Sequence, residues 1–237
     1  MSGTDNFDGD FDAGNFDINH FPRAISVVPN QCVLVNNFIR NFLGDFPART
    51  KSDDMFERIY KKVKWRRQSI KIFGKAVTSP RLCAWHGDQG AVYRYSGTIN
   101  RPLPWIDELL EIRGLIEAYT RQSFNSVLLN LYRDGNDSMG RHSDDEPELG
   151  IAPNIASVSL GATRRFILHP NPTNKQPRVT VNLTHGSLLV MHGMSQRNWK
   201  HSLPKTRRAT GPRINLTYRW VNPLYRSTPF GAVVDVG

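Results

Sequence analysis

The chain has 237 residues, 39% of them apolar and 10% aromatic, enough to bury a sizeable core without covalent staples. Its two cysteines, Cys32 and Cys83, exclude a disulfide framework and offer no zinc-ligand spacing, which implies a reducing compartment. The formal net charge is +10; beyond residue 20, 31 basic residues face 16 acidic ones, a balance of +15 that favours a polyanionic partner such as nucleic acid over a merely basic surface.

No charged-then-apolar leader opens the chain and no apolar run is long enough to cross a bilayer, so a soluble cytoplasmic protein with no membrane partner is expected. Residues 1–20 hold five aspartates, no lysine or arginine, and phenylalanines at intervals. Such a composition cannot offset its ordering entropy, which predicts a disordered acidic arm over 1–22.

Two short helical patterns follow. One covers 33–42. The other starts at Ser52, an N-cap with Asp53 and Asp54 in the first turn, and carries Phe56, Ile59, Tyr60 and Val63 on one face. Residues 61–81, KKVKWRRQSIKIFGKAVTSPR, place eight basic residues among Trp65 and Phe73. That mixture fits a nucleic-acid surface, with a lysine-rich helix end as the plain alternative.

Next, AWHGDQGAVYRYSG supplies Trp85, Tyr93 and Tyr95. The two tyrosines share a face of an extended segment and could stack on a ring, although packing is the commoner fate of such residues. A helix is predicted over 104–120, where Trp105, Leu109, Ile112, Ile116 and Tyr119 form an apolar stripe behind a proline in the first turn. The stripe faces the core and carries no chemistry.

From Ser126 the period changes to two. SVLLNLY, IASVSLG, RRFILHP, RVTVNLT, GSLLVMH and RINLTYRWV are strand-like runs between turn residues. The expected class is α+β, mainly β: a sandwich or jelly roll with helices packed before it.

Within GRHSD, His142 and Asp144 project to the same side if the segment is extended, and NWKHSLPK supplies a distant His201. Two imidazoles and one carboxylate that leave positions open suit a non-haem Fe(II) centre. Alone the pattern is weak, because a short H-x-D arises readily by chance. The last strand strengthens it: Arg213, Asn215, Thr217 and Arg219 fall on one face, opposite Ile214, Leu216 and Tyr218. Two guanidiniums there could bind the carboxylates of a dicarboxylic co-substrate. Asn130 and Tyr132 form a similar stripe on SVLLNLY, against Val127, Leu129 and Leu131.

Taken together, H-x-D, the distant histidine and R-x-N-x-T-x-R resemble the signature of AlkB-type Fe(II)/2-oxoglutarate dioxygenases. The resemblance spans roughly residues 70–221 and is nearest the branch that repairs alkylated bases in double-stranded DNA. It implies a double-stranded β-helix core at 126–223, preceded by helices and a nucleotide-recognition lid at 23–125, with the acidic arm at 1–22 and a tail at 224–237. It also implies Fe(II), 2-oxoglutarate and O2 as cofactor and co-substrates. His142, Asp144 and His201 are then the catalytic iron ligands. Asn130, Tyr132, Arg213 and Arg219 contact 2-oxoglutarate, supported by Asn215 and Thr217.

The implied reaction hydroxylates the N-methyl group of a base of the 1-methyladenine or 3-methylcytosine type, releasing formaldehyde and succinate. A base must leave the duplex to reach a buried iron. The resemblance puts Tyr93 and Tyr95 around it, with Trp85 as a further candidate. Asp145 is favoured over Glu146 as the acid that meets a cationic lesion. Phe73, shaped by Ile72 and Gly74, becomes a wedge filling the vacated stack, and Arg81 lines the same entrance. Arg207 and Arg208 grip the DNA backbone.

A monomer acting inside the cell, in cytoplasm, nucleoid or nucleus, is the expectation. The alternatives are action on single-stranded DNA, RNA or protein, or a binding module with an inactive metal site.

Overall fold

The computed structural model describes residues 23–43, 45–46, 49–72, 75–91, 93–95, 98–208 and 211–223. The arm and tail expected at 1–22 and 224–237, together with Phe73 and Gly74, lie outside the described residues.

A hairpin of β1 (Ile25–Val28) and β2 (Cys32–Val35) leads through α1 (Phe38–Leu43), β3 (Asp45–Phe46) and β4 (Arg49–Thr50) into α2 (Lys51–Lys62). A long hairpin, β5 (Arg66–Ile72) and β6 (Lys75–Gly87), and a short one, β7 (Tyr93–Tyr95) and β8 (Thr98–Asn100), precede α3 (Asp107–Thr120). The rest is mostly strand: β9 (Ser126–Tyr132), β10 (Met139–His142), a 3-10 turn (Pro147–Leu149), β11 (Ile155–Gly161), β12 (Arg164–Pro170), β13 (Val179–Leu183) and β14 (Ser187–Met191). After α4 (Ser195–Asn198), β15 (Trp199–Leu203) and β16 (Arg213–Arg219) complete the fold.

Eight strands make one antiparallel sheet in the order β1-β2-β14-β11-β16-β9-β6-β5, and a second sheet runs β10-β15-β12-β13. This is the mainly β, jelly-roll architecture expected. One core lies between the large sheet and the helices, where Val127, Leu129, Leu131, Ile214, Leu216 and Tyr218 pack with Ile59, Leu109, Ile112 and Ile116. The other lies between the sheets and includes Ile155, Phe166, Leu168, Leu189, Met191 and Trp199. Because side chains alternate along a strand, committing the odd-numbered apolar residues of β9 to the helix side sends Asn130 and Tyr132 to the opposite face. The same rule turns Arg213, Asn215, Thr217 and Arg219 of β16 inward. The buried Tyr218 hydroxyl donates to the Leu109 carbonyl at 2.9 Å, fixing β16 against α3.

Three expectations are corrected. The segment 33–42 is not one helix: Val33 to Val35 pair with Leu188 to Val190, where β-branched residues suit the sheet better than a helical turn. Pro104 lies ahead of α3, whose N-cap is Ile106, and its carbonyl meets His86 Nδ1 at 2.6 Å. The basic stretch is largely hairpin: β6 pairs with β9 from Leu82↔Leu131 to Gly87↔Ser126, so strands on both sides of residue 126 build the large sheet. Trp65 packs against the helix-side core, and Lys62 is held at 2.6 Å by the buried Glu108 carboxylate, which also binds Arg58 at 2.7 Å. Among the described residues no helix is long and apolar enough to cross a membrane.

Candidate metal and co-substrate site

His142 ends β10 and His201 sits in β15, and the two are direct cross-strand partners. This pairing brings together groups 59 positions apart, with ring centroids separated by 4.2 Å. Asp144 follows two residues beyond β10. One ligand atom from each of the three residues lies within 4.8 Å of the others, so a single ion can be shared.

The donors are prepared for that role. His142 Nδ1 lies 2.9 Å from the Gly140 carbonyl. A carbonyl only accepts, so Nδ1 carries a proton and Nε2 is the nitrogen left to meet a metal. His201 stacks on Phe166, with ring centroids 5.3 Å apart. Burial foremost, then the neighbouring His142, pushes its pKa down to about 3, against the pull of Asp144, so its imidazole is neutral near pH 7. Asp144 Oδ2 accepts from Arg219 Nη2 at 2.7 Å, and its backbone N–H donates to Gln196 Oε1 at 3.0 Å. Burial raises the Asp144 pKa, but Arg219, His201 and His142 outweigh it and hold the carboxyl down at about 2. Coulomb attraction, from Arg219 foremost, therefore wins over desolvation and leaves an anionic ligand in the cluster. That set, with positions left open, matches the donor chemistry of an Fe(II) centre.

The same cavity is lined by Asn130, Tyr132, Asn215, Thr217 and Arg219. Register explains the grouping, because Arg213 faces Tyr132, Asn215 faces Asn130 and Thr217 faces Leu128 across β16 and β9. Arg213 is 1% exposed. Its Nη2 donates to Ser159 Oγ at 2.8 Å, whereas Nε and Nη1 find no hydrogen-bond partner among the described residues. A buried guanidinium with idle donors suits a carboxylate ligand.

β11 adds a polar stripe that sequence reasoning missed. Ser159 holds Arg213, and Ser157 Oγ accepts from Asn215 Nδ2 at 2.8 Å. The signal was present in IASVSLG, where the serines alternate with residues of the helix-side core. Gln196, which fixes Asp144, left no such trace.

The other expected residues lie outside this cluster. Arg81 is 8% exposed and donates at 2.6 Å to Oδ1 of Asn130, a residue that lines the cavity. Trp85 packs against Ala91, Leu149 and Val221 and does not line the cavity. Asp145 is exposed and accepts from Ser143 Oγ at 2.9 Å, while Glu146 is half-buried at the cap of the 3-10 turn. Arg207 and Arg208 are exposed and border a surface depression with residues 134–136, Thr206 and Gly211. The side chains of Ile72, Tyr93 and Tyr95 lie outside the described ones.

Burial of histidine carries a pH consequence. His192 is pushed down to about 4 by burial, and His201 to about 3. Both values lie below the unfolded one near 6.5, so the unfolded chain binds more protons as pH falls. Stability fully present above pH 6.5 is therefore lost progressively toward pH 4 and below. Metal-free protein should unfold in urea with about 4 kcal/mol less stability at pH 5 than at pH 7.5; an unchanged midpoint would contradict neutral buried imidazoles.

Comparison with known proteins agrees with this chemistry. Residues 32–219 match the 2OG-Fe(II) oxygenase superfamily. The DNA oxidative demethylase ALKBH2 of Bos taurus is 39% identical over 200 residues, covering 80% of this chain and 72% of the relative. Its Homo sapiens counterpart is 40% identical, covering 73% and 69%. The Bos taurus alpha-ketoglutarate-dependent dioxygenase alkB homolog 3 is 41% identical, covering 73% and 63%. The solved structure of OsALKBH1 superposes with a TM-score of 0.56 at 17% identity, over 83% of this chain and 99% of the other, a likeness of fold. The chain belongs to the 2OG-Fe(II) oxygenase superfamily, in its AlkB-type branch, whose members work with Fe(II), 2-oxoglutarate and O2.

Proposed function

We propose that the protein is an oxidative demethylase of N-alkylated bases in DNA. The observation that carries this reading is the convergence of three groups in one cavity: the His–Asp–His cluster and the polar faces of β9 and β16. Identity of about 40% to DNA oxidative demethylases supports the substrate. In this reading His142, Asp144 and His201 hold iron, and Arg213 with Tyr132 and Asn130 receives 2-oxoglutarate. Arg219 serves both sites, because it already neutralises Asp144 at the cavity wall.

Iron held by these three residues would supply, with 2-oxoglutarate and O2, hydroxylation of the N-methyl carbon while 2-oxoglutarate becomes succinate and CO2; breaking the C–N bond of the resulting carbinol then releases formaldehyde and returns the proton-bearing, unmodified base. The protein's own contribution is placement and exclusion of water. Asp145, aided by Glu146, selects cationic lesions over neutral bases by charge. Exposed Arg66, Arg67, Arg207 and Arg208 provide sequence-independent phosphate contacts. Duplex DNA is the proposed substrate, with Tyr93 and Tyr95 around the flipped base and Phe73 as the wedge. A monomer acting wherever cellular DNA lies completes the reading.

Protein supplied with Fe(II), ascorbate and 2-oxoglutarate should release formaldehyde from a 1-methyladenine duplex, faster than from the matching single strand. Absence of turnover on methylated DNA by iron-loaded protein would remove this reading. Faster turnover on methylated RNA would redirect it.

A further inference from the structure

Arg164, at the start of β12, is 2% exposed, and none of the roles above uses it. Burying a guanidinium is costly unless its charge and donors are satisfied. Here backbone oxygens satisfy them. Nη1 donates to the Asp134 carbonyl at 3.0 Å, and Nη2 donates to those of Asp137 at 2.8 Å and Pro204 at 2.9 Å. Its Cζ also lies 5.6 Å from the centre of the Tyr132 ring, with the Arg213 Cζ 5.2 Å from the same ring.

The two arginines around Tyr132 thus differ in kind. Arg213 keeps Nε and Nη1 without hydrogen-bond partners among the described residues. Arg164 has turned its donors on the backbone and shapes the site instead.

The three carbonyls belong to two loops. One begins directly after Tyr132 and leads to β10; the other follows β15 and leads to Arg207 and Arg208. These loops touch: the Thr206 N–H donates to the Gly135 carbonyl at 2.9 Å, and a Cβ on Gly135 would sit 2.3 Å from the Thr206 carbonyl oxygen. Arg133 closes the first loop by binding both carboxylate oxygens of Asp137 at 2.8 and 2.9 Å. A single fork therefore anchors the end of β9 against β12 and β15.

We propose that Arg164 is a positioning residue for 2-oxoglutarate: by pinning these carbonyls it fixes the Tyr132 ring beside Arg213 and so sets co-substrate affinity without touching the metal ligands. The proposal rests on the reading that Tyr132 and Arg213 hold 2-oxoglutarate. Lysine keeps the charge at this position but cannot reproduce a planar fork to three carbonyls.

Calorimetric titration of 2-oxoglutarate into the full-length protein loaded with Mn(II) provides the test. Arg164→Lys and Arg164→Met should each weaken 2-oxoglutarate binding about tenfold while Mn(II) affinity stays within about twofold. Tyr132→Phe should weaken it too. The double variant Arg164→Lys/Tyr132→Phe should be no weaker than Tyr132→Phe alone, because the lysine acts through the ring. Should Arg164→Met fail to fold, Arg164→Lys decides. Parent-like 2-oxoglutarate affinity in Arg164→Lys, an equal loss of Mn(II) affinity, or additive losses in the double variant would each overturn the proposal. If Tyr132→Phe itself binds normally, the co-substrate reading of Tyr132 fails instead.

Discussion

Replacing Asp144 with alanine is expected to remove iron binding and turnover together and to destabilise the fold. Asp144 is the only anionic member of the His142–Asp144–His201 cluster. It is also the carboxylate that compensates Arg219, at 2.7 Å, with both side chains almost fully buried. Deleting one partner of a buried pair leaves the other charge in a poorly solvating interior, at a cost of about 3–5 kcal/mol. Asp144→Asn separates the two effects. Its amide keeps the volume and an acceptor for Arg219 but not the charge, so a loss of melting temperature smaller than that of Asp144→Ala is expected. Without the negative charge, iron affinity should fall about a hundredfold or more, and formaldehyde release by about a thousandfold. Equilibrium dialysis with Fe(II) or Mn(II), thermal melts and the formaldehyde assay give the three readouts. Metal binding in Asp144→Asn equal to that of the parent would exclude Asp144 as a ligand.

Why these residues could be read from sequence, and others could not, follows from period and pairing. Alternation fixes which face a strand residue occupies, so the inward stripe of β16 and the Asn130–Tyr132 stripe of β9 were visible before their partners were known. The metal cluster depends on a cross-strand pair, His142 with His201. Spacing along the chain says nothing about that pair; His201 stood as a weak candidate until the accompanying arginine strand strengthened it. The burial of Arg81 next to Asn130 was not legible, because it depends on the pairing of β6 with β9 and not on the basic run in which the residue sits. The segment 33–42 misled for a related reason. Val33 to Val35 are apolar on both faces, a run that suits a buried strand as well as a helix, and only pairing with β14 decides. Gln196, Ser157 and Arg164 act through hydrogen bonds to groups distant in sequence, and only folding reveals those.

Arg213→Met should make the ligand-free protein more stable while crippling co-substrate binding. Burial foremost lowers the Arg213 pKa to about 10; the nearby Arg164 pushes the same way and the Tyr132 phenol only partly offsets it. A downward shift of that size for a cation is a destabilisation on the order of 3 kcal/mol in the charged form. Two of its guanidinium nitrogens are also without hydrogen-bond partners among the described residues. Methionine fills similar volume with none of these penalties, so the apo melting temperature should rise by several degrees. The ligand-bound comparison should reverse. A carboxylate seated on Arg213 would satisfy the idle donors and the charge at once, giving the bidentate pairing that guanidinium suits best. Losing it should raise the KM for 2-oxoglutarate about a hundredfold, with a smaller effect on kcat, because the contact serves binding more than the chemical step. Saturating 2-oxoglutarate with Mn(II) should then raise the melting temperature of the parent well above its apo value and leave that of Arg213→Met nearly unmoved. A variant that loses apo stability and keeps its KM would assign Arg213 to the scaffold. The opposite pair of changes marks a residue whose burial is unfavourable until the co-substrate arrives.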